Sequence, residues 1–293
     1  MVNFKRQNKR NKKKNTQILN KNWWENNPMS YDWENRNNYE KFSLEWFNYI
    51  DNNFIRDSNI YHSAFSKIPF DQFIQYSSIN DKDILEIGCG YGFHTEMILK
   101  NSKPKNYTAV DITTEAIEAT KKRLKLKNII FQNVNLINAD AENLPLKDES
   151  LDFIWSWGVI HHSLNTEKII NEIFRTLKKN GKFRIMIYNK NSFRYYILGL
   201  FRGIFKFKFL KKNLQEINME YTDGYYARHF THKEVKNLFN KSNLKITKIK
   251  NLQDALLIPF PGARIICKIK IFKKISDFIM KRYGWFLYFE GEK

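Results

Sequence analysis

The chain has 293 residues, with 50 Lys and Arg against 30 Asp and Glu, a net charge of +20, and 42% hydrophobic residues. This length predicts one core with appended elements rather than two full domains. Cys89 and Cys267 are the two cysteines and lie far apart, which does not fit a disulfide framework and indicates a reducing compartment. Because no uncharged apolar run reaches the roughly 18 residues of a membrane span, we predict a cytoplasmic protein without a transmembrane segment.

Two segments precede the first predicted strand. Residues 1–22 contain eight Lys and Arg, no acid and many Asn, a composition that predicts a disordered basic tail. Residues 23–80 are rich in aromatic side chains, including Trp23, Trp24 and Trp46, and predict a helical N-terminal extension. These aromatic residues either pack the extension on a sheet, the interpretation we prefer, or form a lid over a bound molecule.

An apolar run, Ile84 to Ile87, leads into three glycines spaced two apart: Gly88, Gly90 and Gly92. Glycine is required where the backbone takes positive φ or lies against a ligand, so this strand and turn predict a coenzyme site. The dinucleotide motif needs a glycine at position 93, where this chain has Phe93. The phosphate loop of nucleotide hydrolases is excluded as well, because no Gly-Lys-Ser/Thr follows.

Strands and helices alternate after the glycines. A helix over 93–100 precedes a strand over 107–111, whose terminal Asp111 lies 25 residues after Glu86, where an acid can bind both hydroxyls of a ribose. A third strand follows at 129–131 or 134–137, and a fourth at 151–157. A helix over 164–178 comes next, and Gly181 is predicted to be the left-handed residue that terminates it. A fifth strand is predicted at 182–188. This alternation predicts a parallel sheet with its site at the carboxyl ends of the strands.

The pattern Glu-x-Gly-x-Gly-x-Gly, followed by Asp111 and Asp140, resembles class I S-adenosylmethionine (SAM) dependent methyltransferases over about residues 80–190. The similarity is to the small-molecule, type 11-like branch. It implies an α/β fold: a Rossmann-like, mostly parallel seven-stranded sheet with helices on both faces and the last strand antiparallel between the fifth and sixth. N-terminal and C-terminal helical caps would complete it.

The resemblance also implies SAM as the cofactor, with Asp140 at the adenine amino group and the backbone near Ala141 at the ring. The residues it assigns to cofactor binding are Glu86, Gly88, Cys89, Gly90, Tyr91, Gly92, Asp111, Ile112, Asp140, Ala141, Glu142 and Trp157. The methyltransferase domain is predicted over 81–293, with cap insertions at about 191–230 and 251–282.

The C-terminal third holds most of the excess charge. Residues 200–283 contain 19 Lys and Arg against six acids, whereas 23–199 are neutral. Apolar residues with interspersed bases at 193–212 and 264–274 suit a surface-lying amphipathic helix or an ordinary substrate cap. This positive charge has two explanations. One is codon bias; the other is an anionic or membrane-associated substrate, in which case the protein would contact a membrane peripherally.

Methyl transfer from a sulfonium needs an aligned acceptor, and a base only where the acceptor loses a proton. His161 and His162 follow the fourth strand and are the candidate catalytic residues, although a structural role is the competing interpretation. We predict transfer to a small-molecule acceptor, a hydroxyl of a metabolite, lipid-linked or sugar-type substrate. The alternatives are a nucleic-acid methyltransferase that uses the basic segments and a binding module without catalysis. No zinc-type spacing occurs, and no metal is predicted.

Overall fold

The computed structural model describes residues 17–32, 37–59, 67–129, 132–252 and 282–293, together with residues 274 and 278. Seven strands form one sheet: β1 (Asp83–Ile87), β2 (Asn106–Asp111), β3 (Val134–Asn138), β4 (Leu151–Trp157), β5 (Leu177–Tyr188), β6 (Lys245–Leu252) and β7 (Phe286–Glu292). The helices are α1 (17–26), α2 (Leu44–Asn59), α3 (Asp71–Ile74), α4 (Phe93–Asn101), α5 (Thr114–Leu126), α6 (Thr166–Thr176), α7 (Gly199–Phe205), α8 (Leu214–Met219) and α9 (His232–Lys241).

The strand order is β3-β2-β1-β4-β5-β7-β6. Strands β1 to β5 pair in parallel, and β7 runs antiparallel between β5 and β6. The predicted fold class is therefore confirmed. The order reverses between β1 and β4, which places a ligand crevice at the carboxyl ends of these two strands.

Both faces of the sheet are covered because the strands alternate their apolar side chains between them. Leu85 and Ile87 of β1 belong to the core beneath α6 and α9, whereas Ile84 belongs to the core beneath α2, α4 and α5. Such two-sided burial is what a parallel sheet requires. It holds the loops that follow the strands against a rigid base.

The helix before β5 ends earlier than the sequence predicts. Helix α6 stops at Thr176, and Leu177 already pairs with Leu151 of β4. The left-handed residue in this segment is Asn180, with φ of 64°, not Gly181. Glycine is needed at 181 for a different reason, because a Cβ there would lie 2.8 Å from the carbonyl oxygen of Lys178.

The other boundaries shift by a few residues. The third strand takes the second of the two predicted positions, and β2 begins at Asn106, one residue earlier than predicted. Helix α9 begins with a capping box, since Thr231 and Glu234 exchange hydrogen bonds with each other's backbone.

The N-terminal extension packs on the domain through a buried ion pair. Arg123 of α5 is fully buried and donates to Asp51 of α2 at 2.7 Å and 2.8 Å, and to Glu96 of α4 at 2.8 Å. Trp46 and Phe47 are buried beside it. The predicted disordered tail is wrong over residues 17–22, which belong to α1, because contacts with the domain order a segment whose composition alone favours disorder.

The first C-terminal cap consists of a π-helical turn (Arg194–Leu198), α7 and α8. The second predicted cap, at about 251–282, and the basic stretch 264–274 lie largely outside the described residues. Within the described ranges, no helix combines the length and the apolar character that crossing a bilayer requires.

Candidate active site

A cavity of about 620 Å³ opens at the carboxyl ends of β1, β2, β4 and β5. Nine of the twelve residues predicted to bind the cofactor line it: Gly88, Cys89, Gly90, Tyr91, Asp111, Ile112, Asp140, Ala141 and Trp157. Residues separated by as many as 69 positions in the sequence thus meet at one crevice because parallel strands end on the same side of the sheet.

The three glycines serve different purposes, although all have positive φ. A Cβ at Gly88 would lie 2.2 Å from a methyl of Val159, and one at Gly92 would lie 2.8 Å from the hydroxyl of Thr120. At Gly90 a Cβ would meet no protein atom within 4 Å. Gly88 and Gly92 are therefore needed for close packing, and Gly90 alone leaves open space on the cavity side.

Asp111 fixes the glycine loop from the end of β2. Its carboxylate accepts a hydrogen bond from the Gly90 N–H at 2.9 Å, and from the N–H and hydroxyl of Thr113 at 3.0 and 2.9 Å. Burial raises the pKa of Asp111, and these hydrogen bonds oppose that effect. Asp111 also lines the cavity, so its carboxylate lies where a ligand can reach it.

Asp140 lies after β3 and is contacted by the N-terminal helix. Its oxygens accept from the Glu142 N–H at 2.9 Å and from the side-chain amide of Gln17 at 3.2 and 3.3 Å. Burial raises the pKa of this carboxyl, whereas the hydrogen bonds lower it. Helix α1 therefore reaches the end of the cavity where the adenine is predicted.

Three predicted cofactor residues do not line the cavity. Glu86 is buried under the loop and accepts from the hydroxyls of Thr95, at 2.6 Å, and Tyr107. Burial raises its pKa to about 7. Glu142 accepts from Ser163 at 2.7 Å and thereby braces the loop after β4. With Gly92 packed on Thr120, these residues lie behind the residues that line the cavity.

The two candidate catalytic histidines have different surroundings. His162 lines the cavity, and its Nδ1 lies 2.9 Å from the carbonyl oxygen of Tyr226. His161 lies behind it against Tyr188, with ring centroids 3.9 Å apart, and neither of its ring nitrogens has a partner among the described residues. Burial lowers the pKa of both, for His162 to about 4. Of these two histidines, His162 alone lines the cavity.

Helix α1 also covers the histidine end. The Asn20 amide donates to the carbonyl oxygen of His162 at 3.0 Å, and the Trp24 ring meets the His162 ring edge-on at 4.9 Å. Both residues line the cavity. The aromatic extension thus divides into two parts: α2 packs as core, the interpretation we preferred, and α1 lies over the cavity as a lid would.

The comparisons with known proteins agree with this geometry. Residues 85–185 match the model of a family described as "Methyltransferase domain", type 11. The domain belongs to the class I SAM-dependent methyltransferases. The predicted resemblance is therefore confirmed, and SAM is the cofactor that membership implies.

Among relatives of this methyltransferase domain is the phthiotriol/phenolphthiotriol dimycocerosates methyltransferase of Mycobacterium tuberculosis. It is 28% identical over 125 residues, 43% of this chain and 41% of the relative. A methyltransferase of Schizosaccharomyces pombe is 36% identical over 110 residues, 37% of this chain and 40% of the relative. The chain thus aligns with about two fifths of the length of these relatives.

Solved structures share the fold. A SAM-dependent methyltransferase from Methanosarcina mazei superposes with a TM-score of 0.51 at 18% identity, over 76% of this chain and 96% of that one. Another, from Mesorhizobium loti, gives 0.51 at 13% identity, over 73% and 92%. These similarities establish the architecture of the methyltransferase domain.

The residues of the methyltransferase domain fit SAM. Space for the cofactor lies beside Gly90, where a Cβ would otherwise intrude, and the Asp111 and Asp140 carboxylates line the same cavity. Asp111 would hold the ribose hydroxyls, Asp140 the adenine amino group, and the backbone of the glycine loop the remainder. When bound, the cofactor supplies an electrophilic methyl group on a sulfonium. The protein contributes alignment and the exclusion of water.

Several residues that line the cavity escaped the sequence prediction. They are Gln17 and Asn20 of α1, His94 after the glycine loop, Tyr188 at the end of β5, and Arg194 and Asp223 of the first cap. His94 stands two residues after Gly92, a position that would have justified including it. The others reach the cavity through tertiary contacts between distant segments, for which the sequence gives no spacing signal.

Among the residues that the structure describes, no three His, Cys, Asp or Glu side chains form a group able to hold a metal ion.

Proposed function

We propose that the protein transfers a methyl group from SAM to a hydroxyl of a small, largely apolar acceptor. One observation supports this proposal above others: the glycine-loop end and the His162 end belong to the same cavity, so cofactor and acceptor would lie in contact. The match to a methyltransferase domain supports the reaction class, and the cavity supports the size of the acceptor.

His162 is proposed to orient the acceptor. Since its Nδ1 lies against the Tyr226 carbonyl oxygen, Nδ1 carries the hydrogen and Nε2 keeps its lone pair. Its pKa of about 4 makes the ring neutral near pH 7, so Nε2 can accept a hydrogen bond from a hydroxyl. Such a weak base would not remove the proton beforehand. The proton would pass from the hydroxyl to Nε2 of His162 as the oxygen gains the methyl group and the sulfonium sulfur keeps the bonding electron pair as a neutral thioether.

Aromatic walls favour an apolar acceptor. Trp157, Tyr188, Trp285 and Phe286 line the acceptor end, and Arg194 lies over the Trp285 ring at 4.8 Å. Asp223 borders the same space, and burial raises its pKa more than the charge of Arg194 lowers it. A metabolite or lipid-linked substrate with one polar group would fit such an enclosure better than a nucleic-acid strand.

The mycobacterial relative is named for phthiotriol and phenolphthiotriol dimycocerosates. Its name supports an acceptor that is a hydroxyl on an apolar molecule. Sugar-type and other metabolite hydroxyls remain within the proposal, because the match covers 43% of this chain and leaves most of it uncompared.

The test is methyl transfer from tritiated SAM by the full chain, with lipid extract, metabolite extract and RNA as separate acceptors. We expect label in the lipid or metabolite fraction. Substituting His162→Phe keeps a ring against Trp24 but removes the lone pair, so turnover should fall about 100-fold or more while SAM affinity stays unchanged. His232→Phe, outside the cavity lining, is the matched control and should keep full turnover.

Two results would contradict the proposal. Label confined to RNA would favour the nucleic-acid alternative. Tight SAM binding without transfer to any fraction would favour a binding module, and calorimetry on the same samples separates that outcome from simple loss of the cofactor site.

A further inference from the structure

The first cap carries large apolar side chains on its outer surface. Along the helical run 194–205, Tyr196, Ile197, Leu200, Phe201, Ile204 and Phe205 recur with helical spacing, and each is between 41% and 67% exposed. Phe207 and Leu210 follow at 77% and 82% exposed. We call these eight residues the apolar ridge. Contiguous exposed apolar surface of this kind marks an interaction site.

The helical run 194–205 buries its small residues and exposes its large apolar ones, the reverse of ordinary helix packing. Its inner side consists of Tyr195, Gly199 and Gly203, all buried. A Cβ at Gly199 would lie 2.4 Å from Asn218 of α8, and one at Gly203 would lie 2.1 Å from the Phe209 ring. Glycines thus bring the helix close to α8 and to the turn over Lys208–Leu210 of the same cap, and Phe201 and Phe205 are left on the exposed side. A helix packed for internal stability alone would bury its large side chains instead.

The charge around the ridge indicates what covers it. Residues 191–212 contain six Lys and Arg and no acid. Lys208 and Lys212 pair with Glu220, and Arg202 lies over the Tyr221 ring at 3.9 Å. Lys206 and Lys211 are exposed on the same segment. Apolar side chains on a convex helix flanked by bases are the composition of segments that lie in the interface of an anionic bilayer.

We propose that the apolar ridge docks the protein on the surface of an anionic lipid bilayer. The ridge is connected to the cavity, because Arg194 begins the same helical run and lines the acceptor end, as does Tyr221 beneath Arg202. Docking would therefore hold the acceptor end beside the bilayer. The docking itself does not depend on the proposed methyl transfer, although it would explain how an apolar acceptor is delivered.

The experiment is sedimentation of the full chain with vesicles of phosphatidylcholine alone and of phosphatidylcholine with phosphatidylglycerol. We expect binding to the anionic vesicles that weakens with salt. The triple substitution F205S, F207S and L210S leaves the charge unchanged and should lower partitioning by about tenfold or more, the effect of withdrawing even one large apolar side chain.

Substituting Lys206→Gln and Lys211→Gln should lower binding to anionic vesicles by about 30-fold and leave weak binding to neutral vesicles unchanged. The matched control is Lys121→Gln with Lys122→Gln on the exposed side of α5, which removes the same charge away from the ridge. The thermal midpoint of each variant establishes that it is folded.

Equal binding by the wild type and the triple variant would overturn the proposal, as would an equal loss for the Lys121 and Lys122 control. Self-association of the wild type that the triple variant abolishes, without binding to vesicles, would also overturn it and assign the ridge to contact between copies of the chain.

Discussion

Gly90 and Gly88 offer the sharpest test of the cofactor site, because the structure assigns them different reasons for being glycine. Both have positive φ, 52° for Gly90 and 79° for Gly88, so any substitution shares a backbone cost of about 1–2 kcal/mol. A Cβ at Gly88 would additionally press on Val159 at 2.2 Å, whereas a Cβ at Gly90 would enter open space.

Gly88→Ala should therefore lower the free energy of unfolding by about 1–3 kcal/mol more than Gly90→Ala does, the usual cost of overpacking. The order should reverse for cofactor affinity. Gly90→Val would place three carbons in the space assigned to SAM and should raise the dissociation constant at least about tenfold, or about 1.4 kcal/mol.

Urea unfolding measures the first quantity, and calorimetry with SAM and its demethylated product measures the second. If Gly90→Val binds both ligands as tightly as the wild type does, the cofactor does not lie beside Gly90 and the assignment of the cavity is wrong. A stability loss at Gly90 equal to that at Gly88 would show that Val159 does not set the difference.

Three further changes test the supports of the site. Asp111→Ala should weaken SAM binding by about 1.5–3 kcal/mol, because charged hydrogen bonds are lost, whereas Asp148→Ala on the surface should leave it unchanged. If Asp111→Ala binds SAM with the dissociation constant of the wild type, the ribose lies elsewhere. The pKa of Glu86 is raised from its ordinary value of 4.5 to about 7, so its contribution to stability is complete below about pH 4.5 and is lost as the pH rises to about 7. For this buried group the loss amounts to about 3 kcal/mol. The free energy of unfolding, measured by chemical denaturation from pH 4.5 to 7, should therefore change less with pH for Glu86→Gln than for the wild type, and equal pH dependence would contradict the shift. Arg123→Met leaves the carboxylates of Asp51 and Glu96 without their partner and should lower the free energy of unfolding in urea by about 3–5 kcal/mol. Lys121→Met, on the exposed side of the same helix, should change it little. A loss below about 1 kcal/mol for Arg123→Met would show that the ion pair does not hold the extension.

The centre of the sheet was predictable because strands such as β1 and β4 combine an apolar run with a turn signal. The predicted bounds of β4, Leu151–Trp157, are those observed, and the predicted antiparallel place of the last strand is confirmed. The end of α6 was not predictable, since Gly181 can mean either a left-handed cap or a close approach of backbone, and only the packing of Lys178 distinguishes the two.

The cofactor end of the site was predictable for a similar reason, as its residues follow successive strands. Glu86 shows the limit of this reasoning. Strand alternation turns its side chain toward the face covered by α2, α4 and α5, where the hydroxyls of Thr95 and Tyr107 donate to it, although Gly88, two residues later, lines the cavity. The acceptor end depends on Tyr188, Arg194 and Asp223, which come from different segments and meet only in the folded chain.

The contact between Gln17 and Asp140 has a consequence for the rate at which the cofactor exchanges. The Gln17 amide presents to Asp140 the kind of donor that an adenine amino group would present. Entry of the cofactor would then replace one N–H donor by another on the same carboxylate, a nearly balanced exchange that adds little to equilibrium affinity. The kinetic effect would be larger and would fall on entry, because α1 would have to detach from Asp140 before adenine could take its place. The rate at which the cofactor associates, more than its equilibrium affinity, would therefore depend on this helix.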